Sequence, residues 1–479
     1  MIFDAEHRDE GWFRDRTFDV CVVGSGPAGI ALARSLAGHG RDVGLFEAGG
    51  ETLTAESQDL YKGDIVGVRY WALDKTRLRF FGGSSNHWGG WSRPLDAWDF
   101  VPNRVNPDSG WPIAKADLDG YAAETDKILD LEPNDPITAG GKLSFNPLEP
   151  ISFRFSPPTR FGTKYRDELA SSTRIRLFLN ANLVGVDVDG SRRNVTELRF
   201  RSFKRGDTFA IRAKQFVLCL GGIENARLLL TAQLGNRSDM VGRHFCEHLV
   251  FTVGDLLLKT KRRLPKFLGP TPEFIRSAGT LNFGLRVVKL PQPAKSYLTD
   301  LKCSSSIART ISEWIGTDLG CDRPGRLRIA CEQALNPNSR VRLTDMFDRF
   351  GLRQVALDWQ ISEIDLRTIR TAALECSKVF ATRDIGRVRL LPWVTDQAMD
   401  LPSIDQDEAI GMHHMCTTRM SSDPWKGVVN ANCRVHEIEN LYLAGSSVFA
   451  TAGHSNPTYT IVQLALRLGD HLNDRLGAN

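Results

Sequence analysis

A glycine-rich turn, "GSGPAG" at residues 24–29, constrains the fold of this chain more than any other stretch. It follows the apolar, β-forming run "FDVCVV" at 18–23 and leads into "IALARSLAGHG", whose apolar residues recur at helical spacing. The segment "DVGLFEAG" at 42–49 then predicts a second strand. This order predicts a β-turn-α-β unit close to the start of the chain.

The glycines of this turn have the spacing Gly24-x-Gly26-x-x-Gly29. The first glycine permits the tight turn, the second lets the backbone approach a pyrophosphate, and the third lets helix and strand pack closely. A pyrophosphate would lie on the helix N-terminus, where unpaired N–H groups favour negative charge. Glu47 ends the next strand, where an acid accepts hydrogen bonds from an adenosine ribose. The motif indicates a dinucleotide site without separating NAD from FAD, and the alternative is a tight turn without a ligand.

A second glycine-dense segment, "FGGSSNHWGG" at 81–90, contains His87 and Trp88. So many glycines indicate a backbone that passes close to something flat or bulky. The alternative interpretation is an ordinary Ω-loop.

Composition excludes several classes of protein. The chain has 479 residues, which is too long for a single hydrophobic core and long enough for two domains. We expect these two domains to be interleaved in sequence. The net charge of +4 is small, and the basic run "KTKRRLPK" at 259–266 is interpreted as a solvated loop, so nucleic-acid binding is not expected.

The cysteines and the N-terminal segment bear on the compartment. Nine scattered cysteines without a C-x-x-C pair argue against a disulfide framework and for a reducing compartment. The first twenty residues lack the apolar core of a signal peptide, and no apolar run reaches about 18 residues. We therefore expect a cytoplasmic protein without a membrane span.

The stretch "MHHMCTTRM" at 412–420 has two interpretations. With "CRVH" at 433–436 it has zinc-like spacing, His413-x-x-Cys416 and Cys433-x-x-His436, but one histidine could instead be a catalytic base. Successive side chains of an extended segment alternate in direction, so adjacent histidines should not share one pocket. This favours one working histidine.

Five ordered motifs resemble those of the glucose-methanol-choline (GMC) flavin oxidoreductases. They are "DVCVVGSGPAGIALARSLA", "FGGSSNHWGGWSRPLD", "GGIENARLLL", "VGRHFCEHL", and "HHMCTTRM" followed by "NLYLAGSSVFATAGHSNPTYTIVQLALRLGDHL". Within the family the pattern is most similar to bacterial sugar and glycoside oxidoreductases related to pyranose oxidase. Residues 250–320 carry little resemblance and are expected to determine specificity.

The resemblance implies a catalytic base and its partner. The family's His-x-x-Gly-Thr register makes His413 the base, with Cys416 where the family usually has glycine. The partner position, just before the last helix, is Asn456. On this interpretation the zinc spacing is a coincidence, His436 is a structural residue, and no metal is expected.

The resemblance also implies FAD as the cofactor. In pyranose oxidases a histidine matching His87 is bonded covalently to the flavin; the alternative is a histidine that packs beside the ring. The residues expected to contact FAD are Gly24, Gly26, Pro27, Ala28, Gly29, Glu47, Ala48, Gly83, Ser84, Asn86, His87, Trp88, Gly89, Gly90, Leu183, Gly221, Ala444, Gly445, Ser446, Asn456, Pro457 and Thr458.

These inferences combine into one expected architecture: a Rossmann-like α/β FAD-binding domain of the GR2 type, and an α+β substrate domain with an antiparallel sheet. The expected FAD-binding segments are 1–105, 170–250 and 405–479, and the substrate domain takes 106–169 and 251–404.

The expected reaction is oxidation of a secondary alcohol of a sugar or glycoside to a ketone, by hydride transfer to flavin N5. The alternatives are a non-sugar alcohol, such as a sterol or an aminocyclitol natural product, and a flavin-binding protein without turnover. The electron acceptor, O2 or a dye- or quinone-like carrier, and the oligomeric state stay open.

Overall fold

A computed structural model describes residues 1–8, 10–14, 16–132, 144–204, 206–259, 264–289, 323–399, 401–402 and 411–477. The basic run at 259–266 and the section 250–320 lie partly outside these residues. In the described chain no helix is long and apolar enough to cross a membrane.

The strands are β1 (Ile2–Asp4), β2 (Thr17–Val23), β3 (Val43–Phe46), β4 (Gly63–Ile65), β5 (Trp91–Ser92), β6 (Leu148–Pro150), β7 (Arg154–Phe155), β8 (Ile175–Leu179), β9 (Asn182–Val188), β10 (Val195–Arg201), β11 (Thr208–Leu218), β12 (Leu249–Leu258), β13 (Phe267–Pro270), β14 (Phe283–Lys289), β15 (Arg323–Cys331), β16 (Arg340–Phe347), β17 (Arg353–Asp358), β18 (Gly386–Leu390) and β19 (Leu441–Leu443). The α-helices are α1 (Glu10–Arg14), α2 (Pro27–Gly38), α3 (Ala55–Gln58), α4 (Ala116–Asp119), α5 (Ala122–Ile128), α6 (Phe161–Ser171), α7 (Gly221–Ala232), α8 (Pro272–Ala278), α9 (Glu363–Thr382), α10 (Pro392–Thr395) and α11 (Thr458–Gly477).

The first large sheet is mixed and has the order β1-β8-β3-β2-β11-β10-β9, with β19 also paired to β11. Strands β1, β8, β3, β2, β11 and β19 pair in parallel, whereas β10 is antiparallel to both neighbours. The centre of β2 is fully buried, as a central parallel strand requires. Helices α2 and α11 pack against each other, and a Cβ on Gly469 would meet the Ser35 hydroxyl oxygen at 2.4 Å.

The second large sheet is antiparallel and has the order β18-β12-β15-β14-β13-β6. Helix α9 packs against it, in contact with β14, β15 and β18. A mixed sheet and an antiparallel sheet, each with helices, agree with the expected fold class.

Two small sheets join segments of the two expected domains: β4 pairs with β17, and β5 pairs with β7. The strands of the mixed sheet all fall within the expected FAD-binding segments, and those of the antiparallel sheet fall within the substrate segments except for the start of β12. The exact domain boundaries stay a prediction.

Two segments are divided in the structure where the sequence predicts one element each. The pattern of residues 114–131 predicts a single helix, but the segment forms two, α4 and α5, which break at Gly120, a residue of low helix propensity. The pattern of residues 174–189 predicts a strand, but the segment forms two, because Asn180 between them adopts a φ of 56°. Asparagine is among the few residues that tolerate this left-handed conformation.

Candidate active site

A cavity of about 710 Å³ is lined by residues of both large sheets. Most of the residues predicted to bind FAD lie in its wall: Gly24, Gly26, Pro27, Ala28, Glu47, Ala48, Gly83, Ser84, His87, Trp88, Gly89, Leu183, Gly221, Gly445, Ser446, Asn456, Pro457 and Thr458. The predicted base, His413, lines the same cavity. Residues far apart in sequence therefore meet at one site.

Four predicted contact residues lie behind this wall. A Cβ on Gly29 would stand 1.8 Å from the carbonyl oxygen of Gly24, so this glycine permits close packing of helix and strand. The Asn86 amide donates to the carbonyls of Phe81 and Gly83. Gly90 and Ala444 are buried and hold neighbouring loops through backbone hydrogen bonds.

The glycine turn fits a dinucleotide phosphate. Gly24 has a φ of 101°, and a Cβ there would stand 2.5 Å from the carbonyl oxygen of Cys219. A Cβ on Gly26, in contrast, would meet no atom within 4 Å, so the backbone faces open space at the start of α2. A phosphate in that space would lie on the helix N-terminus.

The Glu47 carboxylate stabilises this turn directly. Its Oε2 accepts hydrogen bonds from the Ser25 backbone N–H at 3.0 Å and from the Ser25 hydroxyl at 2.6 Å, and its Oε1 accepts from the Gly49 N–H at 3.0 Å. Sequence reasoning missed Ser25. The ribose contact of Glu47 stays a prediction.

The second glycine-dense segment packs onto the first. The Gly82 N–H donates to the Ser25 hydroxyl at 3.2 Å, and a Cβ on Gly83 would stand 3.2 Å from the Cα of Gly26. The crowding expected at this loop therefore comes in part from the glycine turn itself. His87 is exposed in the cavity wall, and its pKa is lowered by desolvation and by the Arg160 guanidinium.

At the other end of the cavity the predicted base lies between two partners. Nε2 of His413 is 3.3 Å from the Asn456 amide nitrogen, and Nδ1 of His413 is 2.9 Å from Nδ1 of His248. Because an amide nitrogen only donates, Nε2 of His413 accepts and its proton lies on Nδ1. Nδ1 then donates to His248, whose own proton lies on Nε2, 3.5 Å from the Ala452 carbonyl oxygen. The lone pair of Nε2 is thus directed towards Asn456.

A short antiparallel bridge brings these residues together. The backbone N–H groups of Cys246 and Met415 each donate to the other's carbonyl at 3.1 Å. The bridge places Glu247 beside His413, and the Glu247 carboxylate accepts the His413 N–H at 2.8 and 2.9 Å and the His248 N–H at 2.8 Å.

The Glu247 side chain is fully buried and also accepts a hydrogen bond from the Tyr70 hydroxyl. Burial raises the pKa of Glu247 to about 7, while the hydrogen bonds from Tyr70 and from the backbone of His413 and His248 act in the opposite direction. Sequence reasoning missed Glu247 and His248, although both lie in "VGRHFCEHL", a motif that carried the resemblance. The adjacent acid and histidine were the available signal.

The charge state of the base follows from its surroundings. Burial, and then the neighbouring His248 and His414, lowers the pKa of His413 well below its usual value. Burial also lowers the pKa of His248 to about 4. Both imidazoles are therefore neutral at pH 7, which is the state a proton acceptor requires.

His414 differs from its neighbour. Its ring lies 5.9 Å from the Tyr70 ring and 5.8 Å from the Phe245 ring, and its Nε2 has no hydrogen-bond partner among the described residues. Both histidines nevertheless line the same cavity, so the alternation argument was too simple. The segment is not a regular strand, because Met412 and Cys416 adopt φ values of 56° and 67°. What distinguishes His413 is its contact with Asn456 and His248.

Three of the four residues with zinc-like spacing have other neighbours. Cys416 lies near Cys246, Cys433 lies near Cys219, and His413 contacts His248 and Asn456. Across the described segments, no group of three His, Cys, Asp or Glu residues is arranged to hold a metal ion. Cys416 occupies, with positive φ, the position where the family usually has glycine.

Comparisons with known proteins agree with this geometry. Residues 336–465 match the model of the GMC oxidoreductase C-terminal family. The chain is 25% identical to 6'''-hydroxyparomomycin C oxidase of Streptomyces lividus, covering 99% of this chain and 95% of that protein. It is 29% identical to C-glycoside 3-oxidase of Microbacterium trichothecenolyticum over 32% of this chain and 28% of that protein.

A solved structure shares the fold. Pyridoxine 4-oxidase from Mesorbium loti superposes with a TM-score of 0.55 at 16% identity, covering 95% of this chain and 99% of that one.

The nucleotide-binding turn, the shared cavity and these matches define an FAD-dependent oxidoreductase that acts on CH–OH donors. The resemblance to the GMC oxidoreductases is thus confirmed over residues 336–465.

Proposed function

We propose that this protein oxidises a secondary alcohol of a sugar or glycoside to a ketone, with His413 as the base. The observation that carries the proposal is the pairing of a neutral His413 with Asn456 at 3.3 Å in the cavity wall. The name of the relative that acts as a C-glycoside 3-oxidase supports the choice of a glycoside.

The chain contributes position and proton transfer. The substrate hydroxyl would lie between Nε2 of His413 and the Asn456 amide, so that Nε2 takes the hydroxyl proton while the amide donates to the same oxygen. Bound FAD would supply the acceptor for the hydride from the carbinol carbon. His248 and the Ala452 carbonyl would keep His413 in the tautomer whose Nε2 lone pair is available.

Two arrangements of His87 are open: a covalent bond to the flavin, or packing beside it. The exposure of His87 in the cavity wall permits either arrangement. Acid precipitation separates them, because a covalent flavin stays in the protein pellet. If the colour stays in the pellet for the wild type and leaves it in His87→Ala, the bond is at His87.

Anaerobic bleaching of the flavin absorbance tests the reaction itself. A panel of sugars, glycosides, sterols and aminocyclitol compounds is mixed with the holoenzyme, and bleaching by a glycoside identifies the substrate class. Oxygen consumption during turnover then separates an oxidase from a dehydrogenase. A holoenzyme that no sugar or glycoside bleaches would contradict the proposal.

A second candidate is oxidation of an aminocyclitol natural product. It is favoured by the match along nearly the whole chain to 6'''-hydroxyparomomycin C oxidase. The same bleaching panel distinguishes the two candidates when paromamine is compared with a neutral methyl glycoside.

A further inference from the structure

One loop, residues 451–456, supplies the groups at both ends of the histidine pair. The Asn456 amide nitrogen lies 3.3 Å from Nε2 of His413, and the Ala452 carbonyl oxygen lies 3.5 Å from Nε2 of His248. The two imidazoles contact each other through their Nδ1 atoms at 2.9 Å. The loop and the two rings therefore form a closed circuit of contacts, and the position of the loop decides whether the Asn456 amide meets Nε2 of the base.

The 451–456 loop lies between β19 and α11 and is held by side chains. Within the described chain its backbone forms no hydrogen bond with another backbone group. At its start the Thr451 hydroxyl donates to the Asp99 carbonyl at 2.7 Å. Gly453 then turns with a φ of 57°, and a Cβ there would stand 2.6 Å from the Leu95 side chain. The first half of the loop thus packs on the segment that follows β5.

Arg93, which directly follows β5, holds the end of the loop. Its Nη1 donates to the Ser455 hydroxyl at 3.4 Å and to the Pro94 carbonyl at 3.1 Å. The Ser455 hydroxyl in turn donates to the same carbonyl at 3.3 Å. Ser455 directly precedes Asn456, so this contact lies one residue from the amide that meets His413.

Asp96 fixes the Arg93 guanidinium. Nη2 of Arg93 donates to Oδ1 of Asp96 at 2.7 Å, and the exposed fractions of the two side chains are only 12% and 10%. Oδ2 of Asp96 accepts from the Asn282 amide at 3.2 Å and lies 3.8 Å from Nδ1 of His454. The two charged side chains therefore lie beside consecutive residues of the loop, His454 and Ser455. Asn282 precedes β14 and ties the pair to the antiparallel sheet.

The stability of the fold alone is a weak reason for such a pair. Removing two charges from water costs free energy that their mutual attraction repays only when the geometry is good, so a buried ion pair contributes little net stability. A guanidinium with bonds in several fixed directions does, however, hold its neighbours in one arrangement. This favours a role in fixing the geometry of the loop.

We propose that Arg93 and Asp96 are positioning residues for the oxidation, which hold His454 and Ser455 so that the Asn456 amide stays directed at Nε2 of the base. The inference rests on the proposed roles of His413 and Asn456 and goes beyond them, because neither Arg93 nor Asp96 belongs to the described cavity wall. The pair acts on the substrate oxygen only through Asn456.

Two variants loosen this support without touching the cavity. Arg93→Lys keeps the charge, but a single ammonium group lacks the planar fork that reaches both Asp96 and Ser455. Ser455→Ala removes the hydroxyl contact without changing any charge. In anaerobic stopped-flow experiments each should lower the limiting rate of flavin reduction roughly 10- to 100-fold, with the substrate Kd changed less than about three-fold, because a small misplacement of a reacting group costs rate. Wild-type limiting rates in both variants would overturn the inference.

Matched controls separate this effect from a general loss of packing. Arg176→Lys weakens a comparable partly buried pair elsewhere in the fold, in which Arg176 lies 2.7 Å from Asp42. Ser92→Ala removes a buried hydroxyl directly beside Arg93, which donates instead to the Gly90 carbonyl at 3.3 Å. Both controls should keep the wild-type limiting rate. A loss in the controls equal to that in Arg93→Lys and Ser455→Ala would contradict the assignment.

A double-mutant cycle shows whether Arg93 acts through Asn456. Once the Asn456 side chain is removed, its position no longer affects the rate. Asn456→Ala/Arg93→Lys should therefore be slower than Asn456→Ala by less than about three-fold, because losses at residues that act as a unit are not additive. If the two separate losses multiply in full, Arg93 acts independently of Asn456 and the inference is wrong.

A measurement without turnover keeps this inference apart from the proposed reaction. The ¹⁵N spectrum of holoenzyme labelled at the histidine ring nitrogens shows which nitrogen carries a proton, and His413→Ala identifies the signals of the base. Arg93→Lys and Ser455→Ala should both shift the Nε2 signal of His413, because the contact with the Asn456 amide is lost, whereas Ser92→Ala should leave it in place. If no alcohol bleaches the flavin, the proposed reaction fails, but a shifted Nε2 signal still supports the positioning role. An Nε2 signal that is unchanged in both variants would overturn that role.

Discussion

The His248 ring determines which nitrogen of His413 carries a proton. Only with Nδ1 of His413 donating to His248 is Nε2 available to a substrate hydroxyl. The side chain of His248 touches the base and lies in the cavity wall, and its ring is fixed by the Ala452 carbonyl. We therefore expect His248 to position the base.

His248→Ala should slow flavin reduction roughly 10- to 100-fold, by analogy with the cost of removing the hydrogen-bond partner of a metal-bound histidine. His248→Asn is the matched variant, because its amide oxygen can accept from Nδ1 of His413 and should restore part of the rate. The measurement is the anaerobic reduction rate with its substrate Kd. Equal rates in His248→Ala and the wild type would exclude this role, and a changed Kd alone would indicate substrate contact instead.

The pH dependence of flavin reduction should report the lowered pKa of His413. A base works unprotonated, so the rate rises with pH through its pKa and is level above it. Since the pKa of His413 is lowered by burial, the acid limb should lie below about 6.5, the reference value for histidine. An acid limb above that value would contradict the assignment.

The titration of Glu247 can add a second step to the pH dependence of flavin reduction, because its pKa is raised to about 7. Glu247→Gln removes that titration, and the low limb of His413 should persist in the variant. If the acid limb of the pH–rate profile disappears in Glu247→Gln, the pH dependence belongs to Glu247 and not to His413.

At the scale of elements, two glycines of the turn between β2 and α2 have different roles: Gly29 permits close packing, and Gly26 leaves space for the cofactor. A Cβ on Gly29 would collide with the Gly24 carbonyl at 1.8 Å, whereas a Cβ on Gly26 would point into open space. Gly29→Ala should therefore disturb the fold of this unit. Gly26→Ala should leave circular dichroism and melting of the apoprotein unchanged but weaken FAD binding, as measured by flavin titration. Normal FAD affinity in Gly26→Ala would place the pyrophosphate elsewhere.

Elements were predictable from sequence where local chemistry determines them. The strand, turn and helix at 18–38 followed from glycine spacing and apolar periodicity, and Pro27 begins α2. The bridge between Cys246 and Met415 was not predictable, because it joins segments about 170 residues apart. The sequence shows Glu247 and His248 as an adjacent acid and histidine, but only that bridge shows that they lie beside His413.

The positive φ of Cys416 was likewise not predictable from the sequence. The sequence shows a cysteine where the family usually has glycine, and the structure shows that this cysteine adopts the left-handed conformation that favours glycine.

At the scale of the whole molecule, the cavity joins the two large sheets, so bound FAD should hold them together. A ligand that binds only the folded state stabilises it by about 2.7 kcal/mol at 100 times its Kd. If the flavin is not covalent, apoprotein prepared by removing it should melt at a higher temperature when FAD is returned. A melting temperature that does not change with FAD concentration would mean that the cavity does not bind the cofactor.

The rate of anaerobic flavin reduction in His413→Ala and His414→Ala tests the central claim most directly. Both variants should fold and bind FAD. His413→Ala should reduce its flavin about 10²–10⁴-fold more slowly than the wild type, the usual contribution of a positioned base, because Nε2 is lost. His414→Ala should be slowed much less, since its ring contacts Tyr70 and Phe245 rather than Asn456. Slow flavin reduction in His414→Ala with a normal rate in His413→Ala, or normal rates in both variants, would contradict the assignment of His413 as the base.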